Sequence, residues 1–355
     1  MWWDLIGNAS YEVPKGSGRN ALFAGALWVS GTDMYGNIKV AAQRYRQNGH
    51  DFWPGPLSID GTAETDASSC QHYDFIKTIY RQDVVDFINY FKNPTLFPDY
   101  NIPDYFFTYP AHGNSSLGQS HYLAPFYDYN EDGEYDPNSG DYPYYDIHNH
   151  LCHQSDPSEE NLYGITSGGV LFDQALKGDQ TLWWVFNDKG NTHTETGGTA
   201  IGIEVRAQAF AFATGDEINN MTFYSFEVIN RSNQTLYDAN IGMYIDIDNG
   251  GNYDDLIGCD VPRGLGYTYG GDDFDETWDG AYGYGNQPAA VGVDILKGPY
   301  LDPDGIDNGA FVQHTDSSGM LWFENCNAAV NGSNFGNGII DDECYGMNYF
   351  VKTIA

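Results

Sequence analysis

Period-two alternation of apolar residues narrows what this chain can become more than any other feature. Ile201-Gly-Ile203-Glu-Val205-Arg-Ala207-Gln-Ala209-Phe-Ala211 places small and branched apolar side chains at every second position, the spacing that buries one face of a strand. Residues 221–229 are β-branched and aromatic, and Asn230-Arg-Ser-Asn-Gln234 then supplies turn formers. Ala239-Asn-Ile241-Gly-Met243-Tyr-Ile245 follows as a third strand. Three strands joined by short turns predict an antiparallel meander, one sheet of a sandwich. Residues 21–29 and 38–45 flank the turn Asp33-Met-Tyr-Gly36-Asn37 and predict a hairpin. Forty-two glycines and 15 prolines interrupt the remaining apolar segments. The best helix spans 83–91, where Val84, Val85, Ile88 and Phe91 share a face. The expected fold is all-β: an antiparallel β-sandwich with long ordered calcium-binding loops and minor short helices. One large domain is expected over residues 1–300, with acidic loop insertions at 126–178 and 246–280. A calcium-loop-like segment at 301–355 is expected to continue into a further domain or missing region.

Fifty acidic residues against 15 basic ones give a net charge of −35. Such a surface repels phosphate backbones and anionic headgroups, so neither nucleic acid nor a membrane surface is an expected partner. No apolar run approaches the roughly 18 residues that a membrane helix needs, and no membrane insertion is expected. Aromatics at 16% of the chain nonetheless promise a real core. Calcium, or a positively charged neighbour, is the natural partner for this much carboxylate.

Asp128-Tyr-Asn130-Glu-Asp132-Gly133-Glu134-Tyr-Asp136 is the sharpest local motif. Oxygen ligands at positions 1, 3 and 5 with glycine at 6 reproduce the first half of an EF-hand loop, and Glu134 would offer its backbone carbonyl. Position 12 is Ser139 rather than a bidentate glutamate, so Asp136 or Asp141 is expected to complete the shell. A solvated acidic turn is the plainer alternative. Asp246-Ile-Asp248-Asn-Gly-Gly-Asn252-Tyr-Asp254-Asp255 repeats the idea with its glycines shifted, and Asp246, Asp248, Asp254 and Asp255 are its candidate ligands. Asp302-Pro-Asp304-Gly305-Ile-Asp307 has the cadence of a calcium-binding linker. Gly271-Asp272-Asp273-Phe-Asp275-Glu276 would share one of these ions or face solvent. Four carboxylate clusters repel one another unless cations neutralise some of them.

Other constellations are weaker. His148, His150, Cys152 and His153 could gather around a transition metal, although their spacing fits a metal-free loop better. Cys326 and Cys344 enclose a Gly/Asn-rich stretch and could be joined in an oxidising compartment. Met1-Trp2-Trp3-Asp4 has neither the basic start nor the apolar run of a signal peptide, so a mature form, a segment of something longer or an internal protein is expected. No nucleophile elbow, phosphate-cradling loop or H-E-x-x-H motif is present, and no enzymatic activity is expected. Trp53, Trp183, Trp184 and Trp278 could stack on sugar rings, with core packing the competing use.

Several blocks resemble one family. Val13-Pro14-Lys15-Gly16-Ser17-Gly18, Gly25-Ala-Leu27-Trp28-Val-Ser-Gly31, Gln43-Arg-Tyr45-Arg46 and Asp51-Phe52-Trp53-Pro54-Gly55-Pro56 look like the opening of very large secreted proteins of Bacteroidota, substrates of type IX secretion. The likeness continues through 128–143, 178–188, 223–232, 244–248, 258–260 and 334–341. Two departures stand out. Residues 144–178 look like an insertion, and the chain stops at Ala355 without the C-terminal sorting domain of such substrates, so a fragment or processed piece is expected. The resemblance implies an address and an architecture: an extracellular or cell-surface, β-rich, calcium-stabilised module of an adhesin-like protein. Its partners would be other surface proteins or copies of itself, with self-assembly and glycans as further options. The rival reading is a secreted carbohydrate-binding or glycan-processing protein.

Overall fold

The computed structural model describes residues 9, 11–45, 47–144, 176 and 178–296, with the short strand segments 165–166, 169–170, 312–315 and 321–324. In chain order the strands are β1 (Tyr11–Glu12), β2 (Asn20–Leu22), β3 (Ala24–Thr32), β4 (Ile38–Ala41), β5 (Trp53–Pro54), β6 (Lys77–Tyr80), β7 (Phe126–Tyr127), β8 (Tyr142–Pro143), β9 (Ile165–Thr166) and β10 (Gly169–Val170). They continue as β11 (Gln180–Asn187), β12 (Ile203–Ala211), β13 (Thr222–Asn230), β14 (Tyr237–Asp246), β15 (Leu256–Asp260), β16 (Leu265–Tyr269), β17 (Ala290–Asp294), β18 (Val312–Thr315) and β19 (Leu321–Glu324). Among the described residues two α-helices, α1 (Ala67–His72) and α2 (Arg81–Lys92), join them. The fold is all-β and antiparallel with minor helices, as the alternation predicts.

Strand β11 organises the centre. It pairs with β12 along one edge and with β5 and β6 along the other, and β13 extends the sheet beyond β12. Its side chains alternate between two cores, as the pleat requires. Trp183 and Val185 pack with Val84, Phe87 and Ile88 of α2 and with Phe106 and Leu123. Phe186 faces Leu27 and Val29 of β3 and Ala41 of β4, together with Val205 and Ala207 of β12, while Trp184 packs against the edge of this group. The β14-β3-β4 sheet therefore covers one face of the central sheet, and α2 with the loops of residues 100–144 covers the other. Helix α2 runs slightly beyond the expected 83–91, and its buried residues Val84, Phe87 and Ile88 follow the i, i+3, i+4 stripe of an amphipathic helix.

The expected hairpin forms, with Val29 opposite Ala41. The Gly36 amide bonds the Asp33 carbonyl at 2.9 Å, and Gly36 takes φ +77°, a conformation that favours glycine. The expected three-strand meander does not form. β12 and β13 pair with Ala207 opposite Phe226, but the third segment lies in β14, which pairs with β3 in the other sheet. The physical reason lies in the connection. Leu236 packs into the inter-sheet core instead of facing solvent in a tight turn, and the chain crosses between the sheets. Tyr244 of β14 then stacks on Trp28 of β3 at 5.5 Å and 3°. Three further strands form a small separate sheet in the order β15-β16-β17. Among the described residues no helix is long and apolar enough to cross a membrane.

Candidate metal centre

The first acidic loop bridges β7 and β8, which pair antiparallel with Tyr127 opposite Tyr142. Its turn is written by side chains accepting backbone N–H groups. Asp128 Oδ2 accepts the Gly133 amide at 2.7 Å, and Asp132 Oδ1 accepts the Glu134 amide at 2.8 Å. The Asp132 amide is shared between Asp128 Oδ1 and Asn130 Oδ1, at 3.3 Å each. Gly133 sits at φ +80°, so its conformation favours glycine. Asp136 caps the short turn Pro137–Ser139 by accepting the Asn138 amide at 2.9 Å. Asp141 is fully buried and accepts the Tyr129 and Asp136 amides at 2.8 Å each, tying the two ends of the loop together. Burial, reinforced by Asp128 and Asp132 nearby, raises its carboxyl above the ordinary range despite those amides.

Two histidines that sequence reasoning missed staple this loop from outside. His121 Nε2 meets the Gly133 carbonyl at 3.0 Å, and His112 Nε2 meets the Tyr135 amide at 2.8 Å. The imidazoles stack at 4.3 Å, and the Glu134 carboxylate approaches them at 3.8 and 3.7 Å. The ligating atoms of His112, His121 and Glu134 lie within 4.8 Å of one another. Because a carbonyl only accepts and an amide only donates, His121 Nε2 carries a proton and the lone pair of His112 Nε2 is occupied. Both ring atoms are spent on the loop backbone. Glu134, expected to contribute its carbonyl, instead directs its carboxylate at this pair.

The second acidic loop, between β14 and β15, differs in burial. Asp246 accepts a hydrogen bond from the Tyr45 hydroxyl at 2.6 Å, and the Tyr244 hydroxyl in turn donates to Tyr45 at 2.6 Å. The other expected carboxylates each hold a local amide and do not converge on one point. Asp248 accepts the Asn252 side-chain amide at 3.0 Å, Asp254 the Gly271 amide at 2.9 Å and Asp255 the Asn249 amide at 3.0 Å. A residue outside the expected set joins them: Asp275, 5% exposed, accepts the Gly251 amide at 2.8 Å and the Tyr284 amide at 2.7 Å. Burial pushes the Asp255 carboxyl up to about 7, with Asp275, Asp254 and Asp248 adding to the rise. Asp248 is raised for the same reasons, burial first and then Asp246. The ion pairs of the described residues all lie elsewhere.

Glu204 shows how the chain handles a buried carboxylate when it supplies the cation itself. It is fully buried on β12, with Arg206 and Arg231 each reaching Oε1 at 2.9 Å. Burial raises its carboxyl, but the two guanidinium groups outweigh that and the net direction is down. A charged residue between Ile203 and Val205 was the available sequence signal. His193 forms a second buried polar knot, between Asp51 at 3.6 Å and Asp188 at 3.8 Å.

Of the tryptophans, Trp183 is 2% exposed and belongs to the core, which removes it from any sugar-stacking platform. Trp278 is 50% exposed and packs against Tyr253, itself 72% exposed, at 4.5 Å. Asp302, Asp304, Asp307, the cluster of His148, His150, Cys152 and His153, and the pair Cys326 and Cys344 all lie outside the described residues. No protein family, no curated protein and no solved structure matches the chain.

Proposed function

We propose that this chain is an extracellular, calcium-stabilised structural or adhesin-like module of a cell surface, non-enzymatic, acting by presenting a rigid surface to neighbouring surface proteins or to copies of itself. One observation carries the reading: Asp248 and Asp255 are partly drawn out of water beside further carboxylates, and among the described residues no lysine, arginine or histidine pairs with them. Partly buried like charges destabilise a fold unless something neutralises them. An all-oxygen ligand set favours calcium over softer metals. Outside a cell, where calcium is on the order of millimolar, even a weak site of this kind is filled and becomes part of the folding equilibrium. The first loop, exposed and shaped by its own amides, would hold calcium more weakly.

Thermal unfolding in millimolar calcium and in chelator, with elemental analysis of the purified protein, tests the reading. Occupancy at about 100 times the dissociation constant stabilises by about 2.7 kcal/mol, so a rise in Tm of roughly 5–10 °C is expected. No rise and no bound calcium defeats it.

A second reading has its own support. The exposed Trp278–Tyr253 pair offers an aromatic face of the kind that stacks on sugar rings. Reproducible binding on a glycan array, abolished by Trp278→Ala, would favour a carbohydrate-binding module.

A further inference from the structure

His193 lies in the connection between β11 and β12, only 3% exposed, and both of its ring nitrogens face backbone carbonyls. Nδ1 meets the Val40 carbonyl of β4 at 2.8 Å, and Nε2 meets the Asp188 carbonyl, just past the end of β11, at 2.6 Å. A carbonyl oxygen only accepts, so each nitrogen has to donate. A neutral imidazole carries one N–H and one bare lone pair, and in either tautomer that lone pair would point at a carbonyl oxygen. The imidazolium ion alone satisfies both contacts. Both are also short for N–H···O bonds, as charge-assisted bonds are.

The surroundings suit a cation. Asp51 Oδ2 lies 3.6 Å from Nδ1 and Asp188 Oδ2 lies 3.8 Å from Nε2, and both aspartates are fully buried. Asp188 accepts the amides of Ile201, Gly202 and Ile203 at 2.5, 2.9 and 2.7 Å. Burial raises its carboxyl, and those amides and then His193 oppose the rise. Asp51 accepts the Thr196 hydroxyl at 2.6 Å and the amides of Glu195 and Ala42 at 3.1 and 3.2 Å. These partners are all donors, which fits the ionised form of both carboxyls. Among the described residues the ion pairs of Asp51 and Asp188 are with His193 alone. The Trp53 ring of β5 lies 5.9 Å from the imidazole, within the range of a cation–π contact. The other charged groups of these segments are engaged elsewhere or in water. Lys39 reaches the Ala200 carbonyl at 3.5 Å, Lys189 pairs with Glu64 at 2.8 Å, Arg44 pairs with Glu195 at 2.7 Å, and His50 is exposed.

We propose that His193 is a fixed imidazolium that latches β4, in the outer sheet, to the end of β11 in the central sheet, and that this latch opens when the proton leaves. Loss of the proton to water turns one N–H into a lone pair facing a carbonyl, and it leaves two buried carboxylates without their cation. The two layers then lose a bond that joins them directly. The latch is independent of the calcium reading, since none of its groups belongs to either acidic loop. A chain that binds no calcium would still carry both ring protons.

Ring nitrogen-15 NMR of the full-length protein at a pH of about 8, where an unconstrained imidazole is neutral, tests this directly. His193, identified by the signals missing from His193→Gln, should show a proton on each nitrogen. A bare nitrogen on His193 overturns the proposal. Denaturation midpoints between pH of about 7 and about 9, at fixed calcium, give the second readout. There the native chain holds a proton that the unfolded chain has lost. The folding equilibrium constant of the wild type should therefore fall more steeply than that of His193→Gln, by up to about tenfold per pH unit. Parallel profiles overturn the latch. Should His193→Gln not fold, the ring signals are assigned through bonds to the wild-type backbone, and the NMR outcome alone decides.

Discussion

The two acidic loops look alike in sequence and differ in what surrounds them. In the 128–136 loop the motif oxygens face their own backbone amides, and Asn130 and Asp132 stay in water. In the 248–255 loop fewer residues fit the motif, yet the carboxylates are drawn inward beside Asp275, and the Asn249 oxygen has no partner. Ligand spacing measures whether a loop can adopt a cation-binding turn. Burial without neutralisation measures whether it needs the cation. The better motif has the smaller need, because a solvated carboxylate loses little free energy by staying unpaired.

The largest test of that contrast is Asp141→Ala. It strands two part-buried amides, those of Tyr129 and Asp136, and leaves a cavity at a fully buried position, at roughly 1–3 kcal/mol for each lost partner. Chemical denaturation should show a loss of about 2–5 kcal/mol, the same in calcium and in chelator. A loss seen only in calcium would make the first loop the metal-dependent one and invert the comparison. Asp255→Asn comes next. The wild type should lose about 2–3 kcal/mol on chelation, whereas the variant should lose little and, in chelator, exceed the wild type because a crowded negative charge has been removed. A variant less stable than wild type in chelator would mean that Asp255 acts through its hydrogen bond and not its charge.

A smaller effect concerns pH. The Asp255 carboxyl is raised from 3.8 to about 7 in the folded state, so between those values the native chain holds a proton that the unfolded chain has lost. Stability without calcium should therefore fall as pH rises from about 4 to about 7. Denaturation midpoints of wild type and Asp255→Asn in chelator isolate this contribution, and parallel pH profiles would contradict it.

How far the sequence reaches follows the same division between local and non-local information. The hairpin at Asp33–Gly36, the helix with Val84 and Ile88 on its buried face, and the alternation in β12 are set by neighbours within a few residues and are legible, whereas Phe87 is buried outside the expected face of Val84, Val85, Ile88 and Phe91. The crossing of β14 to pair with β3 is not, since it depends on Leu236 entering a core built from both sheets. Asp128 and Asn130 accept the same amide, that of Asp132, in a turn whose residue types are legible in the sequence. The burial of Asp275 and the unpartnered oxygen of Asn249 could not be found by spacing, because the first arrives from another loop and the second shows only once its other two polar groups are seen to be occupied.

The smallest expected effect is the one that most directly separates motif from need. Asp128→Ala with Asp132→Ala removes the turn's own acceptors for the amides of Gly133 and Glu134. Those amides lie at a partly open loop where water can replace the lost oxygens, so the cost should be about 1 kcal/mol or less. His121 and His112 still grip the Gly133 carbonyl and the Tyr135 amide, and Asp141 still joins the loop ends. These three anchors lie outside the substituted positions, so the backbone path should survive. The Tm difference between calcium and chelator should match the wild type within about 1 °C, because roughly 2–4 °C corresponds to 1 kcal/mol in a chain of this size class. Should the double variant instead erase most of the calcium-dependent rise, the exposed motif would be the site that folding relies on. The burial of Asp248, Asp255 and Asp275 would then have to be balanced by packing alone.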